Sequence, residues 1–540
     1  MSEPRGDGGD GGHPPGTAGG AEDTGAVLRR IGGGLSWNTT AQAATVVLNL
    51  GLTPFLLTRL GVDRYGIFAL TASFRGLLSN LDGGLGPTAY RYFAVHAGSG
   101  DRRATSSLLA TMLVLTALVV GLVTGASAIF APGIMSLVHA SPALRESGAL
   151  LVREYMPIMF VGALRAMFQR IVMANHRWAY YNGTVIASEV VYVGLAFALV
   201  DSGLGLSGLV LAFAGSEAVA LVSAVAGAWH FVDVRHMRLA RRSELRDLLR
   251  FSSRVQIAEV ASSFNFEIDA LIVGLIFPVR YVSFYSIGSN VSSQLAGLPG
   301  NALPPISVTL SRTFGRSTLR DTLDEFVAIQ RMWVRTIAAF PLVAAVAVLF
   351  GVDRWLGGQA ELAGVVAAIL LVGQSPLLYS GVMDTLGKAA NRPGLESRYL
   401  GVGMAVNIPF TVGLAFGVGM LGVPIGTGLG QMASSVYFLR IARRQIAPDL
   451  RSFVPDFPVV PVLLSLAATA ALEFGAFAIA PRGAVGLLVC ALPAVVGLAV
   501  YAMALLGWNE GIARARDGLR AVRARAGARR GSRPDGGETG

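Results

Sequence analysis

The segment TSSLLATMLVLTALVVGLVTGASAIFA, residues 105–131, consists of apolar and small uncharged side chains without a single charge. A membrane-spanning α-helix needs about 20 such residues in a row, and this segment is longer. Similar segments recur from Leu35 to Trp508, and almost all charged residues lie between them. The alternation predicts an all-α polytopic membrane protein, a class that contains transporters, channels, flippases and membrane enzymes.

About fourteen segments of this kind are predicted, which makes the chain a membrane domain throughout. The composition agrees, with 53% hydrophobic and 14% charged residues against about 25% charged in a typical soluble domain. The predicted spans cover residues 35–59, 66–90, 105–131, 150–172, 182–201, 204–228, 255–278, 281–308, 327–352, 361–386, 396–417, 420–439, 457–480 and 483–507.

The positive charges indicate how these spans are oriented. With fourteen spans, 34 of the 44 Lys and Arg residues fall on the side that holds both termini, and 6 fall on the other side. Because cytoplasmic loops carry the excess of basic residues, we expect both termini in the cytoplasm and the chain in the inner or plasma membrane. The net charge of +11 then follows from topology, and no nucleic-acid partner is expected.

The chain shows signs of an internal repeat. A large basic joint, His230–Arg254, separates six predicted spans from the next six. The second span of each half ends in a Gly/Pro break, DGGLGP at Asp82–Pro87 and LPGNALPP at Leu298–Pro305. An even number of spans per half predicts parallel repeats.

The predicted organisation therefore has six parts. They are a disordered cytoplasmic tail (1–34), an N-terminal six-helix lobe (35–228), a cytoplasmic basic linker (229–254), a C-terminal six-helix lobe (255–439), two extra helices (440–508) and a basic cytoplasmic tail (509–540). The first tail is rich in Gly and Pro and cannot bury enough surface to order itself. It also lacks the layout of a cleaved signal peptide. The last tail is rich in Arg, which is typical of contact with anionic membrane lipid.

At Leu57–Ala94, LTRLGVDRYGIFALTASFRGLLSNLDGGLGPTAYRYFA, the sequence resembles the polysaccharide-biosynthesis flippases. These form the Wzx-type branch of the multidrug/oligosaccharidyl-lipid/polysaccharide exporter superfamily. The matching elements are an "LG" at Leu60–Gly61, a "YG" at Tyr65–Gly66, and a D-x-G-x-G-like element with one added Gly at Asp82–Gly86.

The second half, Phe266–Arg312, resembles the same family. It contains a D-x-x-I-x-G element, a Y-x-x-G turn and a proline near the end of the eighth span, at Asp269, Ile272, Gly274, Tyr285, Gly288 and Pro304 or Pro305. The resemblance extends over roughly residues 30–450.

The resemblance implies a flippase that moves a polyprenyl-pyrophosphate-linked oligosaccharide across the membrane for cell-surface polysaccharide synthesis, such as O-antigen or exopolysaccharide. Two six-helix lobes would enclose a wet, cationic cavity and rock to expose it to each side in turn. No cofactor is implied, and coupling to H⁺ or Na⁺ stays open. A polysaccharide polymerase and glycosyltransferases are candidate partners. Two alternatives remain, a lipid II flippase and a cation-coupled multidrug antiporter of the same superfamily.

Charged residues inside spans are the candidate functional residues, because each costs several kcal/mol unless it is paired or solvated. The predicted headgroup-binding residues are Arg75, Arg165, Asn290 and Gln294. The predicted coupling or gating residues are Asp82, Glu259, Glu267 and Asp269.

Each candidate has a structural alternative. Arg75 and Asp82, seven residues apart, would share a helix face and could simply pair with each other. Arg165 could lie near the interface and extend its charge to water. The polar face with Asn290 and Gln294 could hold helices together. The other intramembrane charges, which favour a structural role, are Glu189, Glu217 and Arg335.

The pattern disfavours an enzyme or a primary pump. Lys388 follows Gly387, but the spacing back to Gly381 is one residue too long for a phosphate-binding loop. All six histidines lie in tails or joints. Cys490, the single cysteine, can form neither a disulfide within the chain nor a cysteine metal cluster. No catalytic residue and no metal site are predicted.

Overall fold

The computed structural model describes residues 24–300, 303, 319–382, 394–445 and 457–531. These residues form α-helices joined by short turns, and no β-strand occurs among them. The helices are α1 Thr24–Leu60, α2 Val62–Ser79, α3 Leu85–Ser99, α4 Arg102–Ser136, α5 Pro142–Ala174, α6 Trp178–Leu199, α7 Gly205–Ala228, α8 Arg242–Ile276, α9 Arg280–Gly300, α10 Leu319–Ile337, α11 Phe340–Leu356, α12 Ala363–Tyr379, α13 Gly394–Val418, α14 Gly422–Gln445, α15 Val459–Ile479 and α16 Ala484–Gly531.

Two of the predicted spans are broken helices. The second span consists of α2 and α3, because Gly83 and Gly84 adopt positive φ values of 75° and 70° that few other residues tolerate. The Asp82 carboxylate accepts hydrogen bonds from the backbone N–H groups of Gly84 and Gly86, each at 2.8 Å, and so caps α3. The predicted break at 82–87 is confirmed, whereas most of the second break, 301–302 and 304–305, lies outside the described residues.

The ninth span is divided in the same way into α10 and α11. With each broken span counted once, the described part of the chain contains fourteen helical rods, in agreement with the predicted number. Eight segments of the described residues are long and apolar enough to cross a membrane by length and composition alone. The chain is a multi-pass membrane protein, and the full number of fourteen spans stays a prediction.

The two halves pack their helices in the same pattern. In the first half, α5 packs against α3, α4 and α7, and α6 packs against α1 and α7. In the second half, α12 packs against α9, α11 and α14, and α13 packs against α8 and α14. Each of these helix pairs has its counterpart six spans later, as parallel repeats require. The last two helices, α15 and α16, pack on each other and on α11, so they extend the second half.

Three predicted boundaries differ from the helices. Residues 24–34, which were predicted to be disordered, form the start of α1, while 1–23 lie outside the described residues. The linker residues 242–254 are the first turns of α8. In the last predicted tail, residues 509–531 continue α16 as helix. In each case a helix that starts in the apolar span continues into polar sequence, where backbone hydrogen bonds cost no desolvation.

The halves meet where the second span packs against α8 and α9. At one end, Gly66 lies so close to α9 that a Cβ there would meet the Val279 carbonyl oxygen. The Ser283 hydroxyl also donates a hydrogen bond to the Val62 carbonyl at 2.6 Å. At the other end, Gly84 packs against the Ser252 backbone in the same way. The two lobes therefore touch at both ends of the second span.

Candidate functional site

A cavity of about 990 Å³ lies between the two lobes. Its first wall, from α1, α2, α5, α6, α7 and α9, is polar and aromatic, and its second wall, from α11 and α16, is apolar. The polar and aromatic wall includes Asn49, Tyr65, Arg75, Tyr155, Arg165, Glu189, Tyr192, Phe213, Glu217, Asn290 and Gln294, and the apolar wall includes Phe340, Val343, Val348, Val352, Leu487, Leu488, Val495 and Leu498. All four predicted headgroup-binding residues therefore line one cavity.

Arg75 lies against two aromatic rings of this cavity. Its guanidinium carbon is 4.3 Å from the ring centre of Phe213 and 5.6 Å from that of Tyr155. Such cation–π contacts stabilise a cation without neutralising it. No carboxylate pairs with Arg75 among the residues that the structure describes.

The predicted pairing of Arg75 with Asp82 is wrong. The two residues do not share a helix face, because α2 ends at Ser79 and Asp82 lies in the break that follows. The carboxylate of Asp82 caps α3, and the residue does not line the cavity. The gating role predicted for Asp82 stays a prediction, now through the break that it holds.

Arg165 lines the cavity from α5 and forms a two-pronged ion pair with Glu217 of α7. The Nε–Oε2 distance is 2.7 Å and the Nη2–Oε1 distance is 3.2 Å, and the two side chains are 18% and 14% exposed. Gly162, one turn earlier on α5, leaves room for the carboxylate of Glu217. The sequence gave no sign of this pair, since its members are 52 residues apart on different helices.

Glu189 adds a second acid to the cavity. Its carboxylate accepts a hydrogen bond from the Asn49 side chain at 2.9 Å, and Asn49 also donates to the carbonyl of Thr45. The charged residues of the lining are thus two arginines and two glutamates. The cationic cavity predicted from the resemblance is therefore wrong in its net charge, because the sequence did not show that Glu189 and Glu217 face inward.

Asn290 and Gln294 reach the cavity from α9, one helical turn apart. The Gln294 side chain accepts a hydrogen bond from Gln42 of α1, so it also joins the two lobes. The Asn290 side chain is exposed. The helix-packing alternative therefore describes part of what Gln294 does, while Asn290 is open to a ligand.

Asp269 lies away from the cavity, buried in the second lobe. Its Oδ2 atom accepts hydrogen bonds from the Tyr285 hydroxyl at 2.8 Å and from the Thr427 hydroxyl at 2.6 Å. The side chain of Asn407 lies beside it, and Thr411 donates to Asn407 Oδ1 at 2.5 Å. We call these five residues the Asp269 cluster, and all of them are buried.

Sequence reasoning found Asp269 but missed the side chains that surround it. Asn407 and Thr411 are one turn apart on α13, and Thr427 lies on α14. A polar pair at that spacing in an apolar helix was the available signal. The two other predicted coupling residues, Glu259 and Glu267, lie on α8, and their side chains lie outside the described residues.

Two six-helix repeats that enclose a cavity within the membrane define a transporter-type membrane protein. The chain belongs to the family described as polysaccharide biosynthesis protein, whose family model matches residues 31–308. The uncharacterized membrane protein EpsK of Bacillus subtilis (strain 168) is 31% identical over 108 residues, which cover 19% of this chain and 21% of EpsK. The chain thus aligns with about a fifth of the length of that relative.

Solved structures show the same fold at low sequence identity. The lipid II flippase MurJ in an inward closed conformation matches with a TM-score of 0.67 and 13% identity, covering 88% of this chain and 99% of that chain. A multidrug resistance MATE family transporter of the MOP superfamily, in an inward-facing conformation, matches with a TM-score of 0.60 and 16% identity, covering 75% and 95%. These findings confirm the family resemblance seen in the sequence.

Proposed function

We propose that the protein carries a lipid-linked, pyrophosphate-bearing oligosaccharide across the inner membrane for cell-surface polysaccharide synthesis. The observation that carries the proposal is the division of the cavity into a polar wall and an apolar wall. An amphiphile with an anionic headgroup and a hydrocarbon chain fits both walls at once. The family assignment and the fold shared with a lipid II flippase support the same class of substrate.

The polar wall provides donors for phosphate. Arg75 has no carboxylate partner in the described residues and keeps its full positive charge between the rings of Tyr155 and Phe213. Arg165 uses two of its five N–H donors for Glu217 and has three left for a ligand. Guanidinium groups suit phosphate because they can make two parallel hydrogen bonds to it.

The apolar wall supports a place for the lipid chain next to the headgroup. It is built by α11 and α16 with aliphatic side chains such as Val348 and Val495. Burial of hydrocarbon contributes about 25 cal/mol per Å², so this wall favours a substrate with an apolar tail over a free sugar.

The Asp269 cluster supports coupling to a cation gradient. Carboxylate, amide and hydroxyl oxygens come together there in a buried site, and hard cations prefer oxygen ligands. Either Na⁺ or a proton would compensate the buried carboxylate of Asp269. Binding on one side of the membrane and release on the other would then drive the rocking of the second lobe.

A multidrug antiporter is the second candidate, favoured by one observation. The cavity contains Glu189 without a basic partner in the described residues, together with several aromatic rings. An acid beside aromatic rings also suits an organic cation. The lipid II flippase alternative shares the pyrophosphate chemistry and would differ only in the sugar.

Reconstituted proteoliposomes test these candidates directly. A polyprenyl-pyrophosphate-linked oligosaccharide is incorporated into the vesicles, and a membrane-impermeant glycosidase outside reports which headgroups have crossed. We expect protein-dependent cleavage of the inner-leaflet pool. Ethidium efflux without headgroup translocation would overturn the proposal in favour of the antiporter, and preference for lipid II would assign the other flippase role.

Orientation and partners belong to the same proposal. We infer that both termini lie in the cytoplasm, where the basic linker and the Arg-rich end of α16 contact anionic lipid. Glycosyltransferases that build the substrate on the cytoplasmic face and a polymerase that consumes it on the outer face are the expected partners. No metal site is proposed, and the described residues contain no group of three or more His, Cys, Asp or Glu side chains that could hold a metal ion.

A further inference from the structure

A second buried carboxylate lies outside both the cavity and the Asp269 cluster. Glu473 of α15 is 0% exposed, and neither of its carboxylate oxygens has a hydrogen-bond partner within the described part of the chain. Burying an ionised carboxylate without a partner costs far more than any single contact returns. A carboxyl group in such a place is stable only when it carries a proton.

Two helices pack against α15, and each presents one polar group to this region. From α16 comes the thiol of Cys490, which lies beside the Glu473 carboxylate and is itself buried. From α11 comes the guanidinium of Arg354, which also acts on Cys490 electrostatically. On α15 itself, Thr469 lies one turn before Glu473, and its hydroxyl is bonded to the Ser465 carbonyl.

Arg354 is a cation without an acid. Its guanidinium carbon lies 3.9 Å from the ring centre of Phe477, one turn beyond Glu473 on the same face of α15. Its Nε atom is buried and has no hydrogen-bond partner among the described residues. An unpaired acid and an unpaired base therefore lie about one helical turn apart at the contact of α15 with α11.

We propose that Glu473 is a proton-binding site that carries its proton in the conformation shown and, on losing it, pairs with Arg354. The exchange replaces the Arg354–Phe477 contact by an ion pair and shifts α15 against α11. This inference concerns a proton and stands whichever headgroup the cavity carries.

The site adjoins the cavity through Cys490. This residue lines the apolar wall on α16, and Gly351 of α11 packs closely on its Cβ, at 3.4 Å from where a Cβ on that glycine would lie. A shift of α15 relative to α11 therefore moves the wall that we assign to the lipid chain. Proton release at Glu473 is thereby linked to the shape of that wall.

Carbodiimide labelling tests the proton directly, because dicyclohexylcarbodiimide reacts with protonated carboxyl groups in apolar surroundings. The full-length protein in proteoliposomes is labelled from pH 5 to pH 9, and the adducts are located by mass spectrometry. We expect an adduct on Glu473 that declines as the pH rises, and none at that position in Glu473→Gln. Asp201, which is exposed and paired with Arg59, is the internal control and should stay unlabelled.

Replacement of Arg354 by Met separates the proposed exchange from simple burial. Arg354 stabilises the ionised carboxylate, so its removal should move the pH of half-labelling upward by at least one unit. An unlabelled Glu473, or the same labelling curve in the wild type and in Arg354→Met, would overturn the proposal.

The single cysteine reports the link to the cavity. The rate of Cys490 labelling by N-ethylmaleimide is measured in the wild type and in Glu473→Gln, where the glutamine keeps the shape and corrects for the titration of the thiol itself. We expect the ratio of the two rates to change at least threefold between pH 6 and pH 8. A constant ratio would show that proton release does not reach the wall.

Discussion

At the scale of single residues, the structure separates charges that look alike in sequence. Arg75 and Arg165 both line the cavity, but Arg75 lies between aromatic rings and Arg165 is paired with Glu217. Of these two, only Arg75 offers an uncompensated positive charge in the described part of the cavity. This difference makes Arg75 the sharper test of headgroup binding.

We expect Arg75→Ala to lower the rate of headgroup translocation by about tenfold or more, since a hydrogen bond to a charged group contributes about 1.5–3 kcal/mol. Arg75→Lys should recover only part of the rate, because an ammonium cannot make the two-pronged contact. The measurement is the glycosidase assay at equal amounts of folded protein. Normal translocation by Arg75→Ala, or loss of the protein from the membrane, would leave Arg75 with a structural role.

Asp269 is the residue that tests coupling. Its carboxylate is buried among Tyr285, Asn407 and Thr427, and Asn in its place cannot take up a proton or attract a cation with a full charge. We expect Asp269→Asn to slow translocation and to make the rate insensitive to an imposed proton or sodium gradient.

Thr411→Val is the matched control for that experiment. Thr411 belongs to the Asp269 cluster but donates to Asn407 rather than to the carboxylate, so the variant should keep a response to the gradient. If Asp269→Asn responds to the gradient as the wild type does, coupling has to be sought at Glu259 or Glu267.

At the scale of secondary-structure elements, the broken second span decides how the lobes meet. Its two parts touch α8 and α9, and the break itself packs on α8 through Gly84 and Ser252. The Thr88 and Ser252 hydroxyls are 3.0 Å apart there, and the Gln256 side chain donates to the Asn80 carbonyl at 2.8 Å. A movement of the lobes has to open these contacts.

Neighbouring glycines in the break allow a matched comparison. Gly83 and Gly84 have nearly the same positive φ, so Ala at either position carries similar backbone strain, about 1–2 kcal/mol. A Cβ at Gly83 meets only the Val119 side chain at 3.5 Å, whereas one at Gly84 meets the backbone of Ser252. We therefore expect Gly84→Ala, but not Gly83→Ala, to separate the break from α8.

Cross-linking measures this separation. In a background with Cys490→Ser, cysteines at Thr88 and Ser252 should form a disulfide readily in the parent and in Gly83→Ala. In Gly84→Ala the yield should fall at least threefold. Equal yields in the two alanine variants would mean that the contact of the break with α8 tolerates the extra methyl group.

At the scale of the whole molecule, the repeat and the cavity depend on the topology. Two lobes with the same helix packing form parallel repeats only if an even number of spans separates them. The distribution of basic residues favours both ends of each lobe on the cytoplasmic side.

Reporter fusions check this topology. We expect fusions at Gly100, His236 and Gly531 to report a cytoplasmic location and a fusion at Ser141 to report an external one. All four positions lie at helix ends or in connections, apart from Gly531 at the end of α16. An external signal at His236 would contradict the arrangement of two parallel lobes.

The sequence by itself determined the membrane class, the all-α fold, the broken second span and the family. These features depend on local properties: the length of apolar runs, the placement of charges, and glycines whose backbone conformation is unusual. The residues Arg75, Arg165, Asn290, Gln294 and Asp269 could also be selected, because a polar side chain in an apolar span stands out by itself.

Only the tertiary structure decided what those side chains contact. The pairing of Arg165 with Glu217, the rings around Arg75, the inward position of Glu189 and the isolation of Glu473 all join residues from different helices. The rotation of each helix about its own axis sets these contacts, and in a helix that is apolar all round the sequence gives no moment that fixes the rotation. The packing of neighbouring helices fixes it, and with it the balance of charge in the cavity.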